Sequence, residues 1–280
     1  VHSSVPPWTR VDYDARVPGA GTFMSVYYPY GEIFLLQKKN WGGPTYSEGP
    51  HHCFYSGLTD GNYAQDQPYN LRVNPWLVDF DLRKMHDLEC NFGLGNVGMF
   101  APGYKPKTPA ENTALLDRFL AGTLAFGHPG FLAREFGNIG AAKSYFMIQQ
   151  IASRYTQVSA TSIRYFDAVG NALDTSAALA NDVVKRSQVA VEYADGTTVV
   201  ANGSEKEKLE TTFAGRKISL PPNGYVAWTS DGEILVESRL SDAGNRFDYC
   251  ASPEYIYLDG RGVWTVCERA CGAGSGVCRI

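Results

Sequence analysis

The amino-acid sequence predicts an α/β fold: strand and helix alternate over residues 1–160, and a small antiparallel β domain follows over 161–280. Three observations support this. A β-prone run, Thr45-Tyr46-Ser47, follows a helical pattern and is stopped at once by Glu48-Gly49-Pro50. Helical patterns near 108–121 and 140–156 then flank the apolar run Thr123-Leu124-Ala125-Phe126. Beyond about residue 158, short β-prone runs recur between Asp-Gly and Asn-Gly turns. Strand–helix–strand–helix is the order of a parallel sheet or a β/α barrel, and the later texture is that of a sandwich.

The Pro-rich start, Val5-Pro6-Pro7-Trp8, reads as loop because proline supplies no ladder donor. In Arg10-Val11-Asp12-Tyr13-Asp14 the two aspartates share a face if the segment is extended. Thr22 is positioned to cap a helix over about 22–39 with Phe23, Val26, Tyr27, Tyr30, Ile33, Phe34 and Leu36 on one face; Pro29 predicts a kink or break. Gly42-Gly43-Pro44 ends that helix. A polar and aromatic loop occupies 49–74, and Trp76–Leu82 reads as a second short strand in which Asp79 and Asp81 point to one side. Thr108-Pro109-Ala110-Glu111 is a strong helix start with cap, first-turn proline and acid in sequence.

The second half reads as strands. Gln188–Tyr193 and Thr197–Asn202 form a hairpin about Ala194-Asp195-Gly196, and further strands lie at Lys217–Leu220, Tyr225–Thr229, Ile234–Ser238 and Tyr255–Leu258. Asn202-Gly203-Ser204 is a glycosylation acceptor sequence by pattern.

The totals exclude some function classes. A formal charge of -4 provides no basic field for nucleic acid. No run reaches the roughly 20 apolar residues of a membrane span. The chain begins at Val1 in structured-looking sequence without a visible leader, and reads as a fragment or processed piece. Aromatic residues at 13% suit either a ligand-facing surface or a β-rich core. Cys53 and Cys90 read as isolated buried thiols. Cys267, Cys271 and Cys278 read as a disulfide or free thiols rather than zinc ligands, since no histidine accompanies them. Gly93-Leu94-Gly95-Asn96-Val97-Gly98 lacks the strand and helix that a dinucleotide fingerprint needs.

The residues that carry chemistry cluster about Glu48. As the last residue of a short strand it lies at the edge where parallel α/β proteins collect ligands. A solvated glutamate in a surface turn is the plain alternative. Tyr46, His51, His52, Tyr55 and Asp60 around it favour a polar functional rim.

Several stretches together carry a family likeness: Gly43-Pro44-Thr45-Tyr46-Ser47-Glu48-Gly49, Trp76–Leu82, Leu120–Phe131, Val191-Glu192-Tyr193-Ala194-Asp195-Gly196 and Leu220-Pro221-Pro222-Asn223-Gly224-Tyr225. Their order resembles the C-terminal half of a (β/α)8-barrel glycoside hydrolase followed by its β-sandwich, in particular large bacterial enzymes related to endo-α-N-acetylgalactosaminidases. The resemblance implies a partial (β/α)8 barrel over 1–160, a β-sandwich over 161–280, and a secreted or periplasmic location. It implies hydrolysis of O-glycosidic bonds of a carbohydrate, with retention, by a carboxylate pair and no cofactor. Glu48 matches the acid/base. The nucleophile is expected near the start of this chain, where Asp12 and Asp14 are the available carboxylates, or on a strand upstream of Val1.

Glycoside cleavage needs a protonated carboxyl for the leaving oxygen and an ionised one for the oxocarbenium-like centre. Tyr46, Phe54, Tyr55 and Trp76 are candidates for the apolar walls that keep Glu48 protonated, Asp79 and Asp81 for orienting sugar hydroxyls, and His51, His52 and Asp60 for lining the subsites. Asp79 and Asp81 serve equally well as hydrogen-bond partners for a loop backbone. Two rivals remain: a non-catalytic carbohydrate-binding fragment, and a metal-dependent hydrolase using His51, His52, His86, Asp79 and Asp81, for which no metal-ligand spacing occurs.

Overall fold

The computed structural model describes residues 11–43, 45–47, 55, 58–62, 72–79, 97–101, 103–129, 132–267, 270–272 and 275–279. The chain divides into two compact units, residues 1–67 with 83–95, and residues 68–82 with 96–280.

In the first unit, helix α1 (Met24–Trp41) runs through Pro29 without a break. Thr22 does not cap it. Its hydroxyl donates back to the carbonyl of Gly19, 2.7 Å away, and so serves the preceding turn. The helix ends as the glycines require: Gly42 adopts a left-handed conformation (φ 61°) and its N–H donates to Lys38 O. The short strands β1 (Tyr46–Ser47) and β2 (Gly61–Asn62) then pair in parallel, Tyr46 opposite Gly61 and Ser47 opposite Asn62. Tyr55 is buried against α1, stacked on Tyr27 at 5.2 Å and edge-on to Phe34 at 5.1 Å.

The second unit opens, among the described residues, with a short helix α2 (Val97–Phe100) and helix α3 (Pro109–Ala125). The start of α3 is as the sequence predicts: Thr108 accepts from Glu111 N–H, and Glu111 reaches back to Thr108 N–H. Its end is not. Of Thr123–Phe126, expected as a strand, the first three residues belong to the helix and Phe126 is its cap, because no breaker intervenes until Gly127 at φ 66°. Thr123 Oγ1 donates to Phe119 O and Phe126 N–H to Gly122 O, which extends the helical ladder. Helix α4 (Gly137–Tyr155) is present where the sequence places a helix over 140–156, and begins three residues earlier. The expected strand at Trp76–Leu82 is also corrected where it is described: residues 78–79 are helical. Residues 80–82 lie outside the described part.

From residue 160 onward β-structure dominates: β3 (Ala160–Phe166), β4 (Ala172–Leu173), then a short helix α5 (Thr175–Ala180), β5 (Gln188–Tyr193), β6 (Thr198–Asn202), β7 (Leu209–Phe213), β8 (Arg216–Leu220), β9 (Tyr225–Trp228), β10 (Leu235–Leu240), β11 (Arg246–Ala251), β12 (Tyr255–Asp259), β13 (Thr265–Cys267), β14 (Ala270–Gly272) and β15 (Ser275–Arg279). Nine of these form one antiparallel sheet in the order β15-β12-β11-β10-β9-β6-β5-β3-β4. The Asp-Gly hairpin is present as β5–β6, with Val191 opposite Val199. β7–β8 and β13–β14 are separate two-stranded ribbons. In the second ribbon Cys271 faces Val266 across the ladder and Cys267 faces Ala270, so the two cysteines are not a cross-strand pair.

Strand alternation divides the sheet into two faces. On one, Ala190, Val200, Val226 and Trp228 pack under Leu209, Ile218 and Leu220 of β7–β8, an arrangement resembling a sandwich. On the other, Tyr193 stacks on Tyr155 of α4, Tyr257 stacks on Phe146 of α4, and Tyr255 donates to Phe146 O. Helices α3 and α4, which the sequence places in a barrel, cover this second face: α3 over β5 and β6, α4 over β10 and β11. The β1–β2 pair is parallel, whereas the nine-stranded sheet is antiparallel throughout.

Candidate functional site

The candidate site is built on β1. Asp60 immediately precedes β2. Its Oδ2 accepts the N–H of Thr45, at the entrance to β1, at 2.6 Å, and its Oδ1 receives the ammonium of Lys38, the last-turn cation of α1, at 3.0 Å. Asp60 N–H donates to Thr45 O in return. Partial burial pushes the Asp60 carboxyl up, but the Thr45 N–H and Lys38 outweigh this and hold it below its ordinary value. Asp60 therefore clamps the N-terminal ends of both strands to α1. Asp60, expected among the sugar subsites, has both its carboxylate oxygens engaged within this unit, by Thr45 N–H and by Lys38. Glu48 is the next residue in sequence after β1. Glu48, His51, His52 and Asp81 lie outside the described residues, as do Phe54 and the side chain of Tyr46.

Asp12 and Asp14 do not form an extended, shared face. Asp12 Oδ1 accepts Asp14 N–H at 2.8 Å, and Asp14 accepts the backbone N–H and the guanidinium of Arg16. The two backbone N–H groups so held belong to a tight turn, which Val17 N–H to Asp14 O closes, and Gly21 N–H to Asp12 O joins the ends of the longer loop. The side-chain bond to Arg16 holds the exposed Asp14 below the usual carboxylate range. Tyr55 is a core side chain, not a rim residue: it is buried, and burial raises its hydroxyl to about 12.

In the second unit Trp76, expected among the apolar walls of the sugar site, is a core side chain. It is fully buried, with Phe126 edge-on at 5.9 Å and the Arg118 guanidinium 5.0 Å over its ring. Gly203 approaches the ring so closely that a Cβ there would fall 2.7 Å from two ring carbons. Trp76 N–H donates to Ser187 Oγ. Arg118 is buried enough to lower its guanidinium to about 10, so it stays charged at neutrality. Asp79 is half-buried on the helical turn that follows.

The largest assembly of charge lies elsewhere, between the helices and the sheet. Asp117 of α3, Lys143 of α4 and Asp248 of β11 are all buried. Lys143 Nζ is 2.8 Å from Asp117 Oδ1 and 2.6 Å from Asp248 Oδ2. Arg261, in a left-handed conformation (φ 50°) after β12, gives both carboxylates two bonds of 2.8–2.9 Å. Ser238 donates to Asp248 Oδ1 at 2.6 Å, and Arg246 brings a third cation 3.5 Å from Asp117. Burial pushes both aspartates up, but Lys143 and the arginines pull them below the usual range. Every carboxylate oxygen here is engaged by a cation, which is the chemistry of a structural clasp and leaves none to receive a proton from a substrate.

No family model, curated protein or solved structure matches this chain. The chemistry is therefore argued from residues alone. The clasp was missed by sequence reading, although α3 carries a signal: Asp117 and Arg118 interrupt Leu115-Leu116 and Phe119-Leu120, and every residue from 115 to 125 is buried. Among the described residues no group of three His, Cys, Asp or Glu is placed to hold a metal. No described helix is long and apolar enough to cross a membrane.

Proposed function

We propose that the chain is part of a retaining glycoside hydrolase whose acid/base is Glu48, and that β1–β2 belongs to a (β/α)8 barrel followed in sequence by the sheet unit. One observation carries the reading. β1 and β2 run parallel, their entry ends are fixed by Asp60, and Glu48 is the next residue in sequence after the exit end of β1. In parallel α/β architectures this exit edge gathers catalytic groups, whereas entry-edge residues serve stability.

A donor at Glu48 would hand its proton to the departing glycosidic oxygen while a second, ionised carboxylate attacks the anomeric carbon to form a glycosyl ester. Glu48 would then take a proton from the water that hydrolyses that ester, and retention follows from the two displacements. Asp14 is ionised as that role requires, but Arg16 already occupies both its oxygens. That observation favours a second reading, a carbohydrate-binding piece without turnover. The two are separated by assaying the chain and its Glu48→Gln variant on aryl glycosides with poor leaving groups. A general acid contributes ~10²–10⁴-fold. A loss of that size supports Glu48, and a change within about threefold removes it from the mechanism. Saturable sugar binding with no turnover supports the second reading.

A further inference from the structure

Helix α1 is apolar on two sides. Its inner side is occupied: Phe34 is buried edge-on to Tyr55, and a Cβ on Gly31 would come within 3.2 Å of Leu58. Lys38 also faces inward, where its ammonium is committed to Asp60. The outer side presents Leu35 and Leu36, which are 51% and 56% exposed, with Tyr28 two turns earlier at 59%. Ile33 and Leu36, which the sequence pattern groups with Phe34, are thus exposed rather than buried. Two charges bracket the leucines. Glu32 and Lys39 are both exposed, and neither has an ion-pair partner among the described residues.

The spacing of these four residues selects the partner. Residues 32, 35, 36 and 39 stand at i, i+3, i+4 and i+7, so they form one stripe along the helix. The stripe is complementary to itself when a second copy runs antiparallel. About a two-fold axis between Leu35 and Leu36, Glu32 of each copy comes opposite Lys39 of the other, and the leucines meet in the middle. A parallel arrangement sets glutamate against glutamate and lysine against lysine, which is repulsive. We propose that α1 is the contact face of a symmetric dimer of this chain, packed antiparallel on α1 of a second copy. An 18-residue helix is about 27 Å long, so a contact confined to this pair belongs with small, reversible interfaces, and dissociation is expected at roughly tens of micromolar. The proposal is independent of any role for Glu48.

The test is sedimentation velocity on the full chain from about 1 to about 300 µM, a range that brackets the expected dissociation constant. The sedimenting mass rises from one chain to two across it. Leu36→Glu keeps the protein monomeric throughout. Glu32→Lys and Lys39→Glu each weaken association about tenfold, because both symmetry-related pairs then carry like charges. The double variant Glu32→Lys with Lys39→Glu regains the original affinity, since every pair across the axis is opposite again. Should Leu36→Glu disturb the helix by circular dichroism, the surface charge reversals decide the matter without it. A chain that stays monomeric at the highest concentration overturns the proposal. So does a dimer that neither single reversal weakens, or one that the double reversal fails to restore.

Discussion

The ammonium of Lys143, on helix α4, lies 2.6 Å from Oδ2 of Asp248 in the middle of strand β11, with both groups shut away from solvent. Arg261 and Asp117 complete the arrangement, so helix α3, helix α4 and the sheet meet at one set of opposed charges. Buried ion pairs add little net stability over an apolar replacement, but removing one partner strands the others.

Lys143→Met is therefore expected to lower stability by about 3–5 kcal/mol, because two carboxylates lose a shared cation. Urea unfolding followed by far-UV circular dichroism measures this. Lys143→Met combined with Asp248→Asn should recover part of the loss, since the second change removes one stranded charge.

Acid should act through the same residues. Asp117 and Asp248 are more acidic in the folded chain than in the unfolded one, where a carboxyl titrates near 3.9. Such groups contribute stability that is complete above the unfolded value and declines as pH falls toward the folded one. The melting temperature should hold steady from neutrality to about pH 5 and drop below about pH 4. It should fall less steeply in Asp248→Asn, as thermal melts across that range would read out.

Asn202 is fully buried, and its amide nitrogen donates to the carbonyls of Glu207, Leu220 and Pro221 at 2.8–3.2 Å. Passed through a glycosylating secretory route, the folded chain should carry no glycan there, by intact-mass measurement, despite the acceptor pattern. Asn202→Asp should destabilise by about 3 kcal/mol, since a carboxylate cannot donate to those carbonyls.

Gly203→Ala should lower stability by about 1–3 kcal/mol, because the added carbon meets the Trp76 ring and, at 2.8 Å, the carbonyl of Ser187. Combining it with Trp76→Phe should relieve the ring clash but not the backbone one. A double-mutant cycle by chemical denaturation would show this partial rescue.

What the sequence made legible was governed by local rules. The Thr108 cap, the Gly42 helix stop and the β5–β6 hairpin each follow from residues within one turn of the chain. Strand β11 was missed because Arg246 and Asp248 make it look polar; their partners are Pro222, Asn223 and Lys143, far away in sequence. Strands β3, β7 and β15 also went unread. The run 123–126 misled for the opposite reason: a buried apolar stretch has no period to distinguish strand from helix, and only the hydrogen bonds through Thr123 and Phe126 decide it. Around the candidate site, Asp60 offered no signal that its partner would be the N–H of Thr45 rather than a ligand.

The helices laid across the sheet have a practical consequence for anyone who would trim this polypeptide. Cutting at residue 160, where the texture of the sequence changes, would bare the tyrosines of β5 and β12 and leave Asp248 facing water without Lys143 or Asp117. A piece beginning there exposes an apolar flank and should precipitate, whereas one that starts ahead of residue 68 keeps α3, α4 and the Trp76 anchor as its cover.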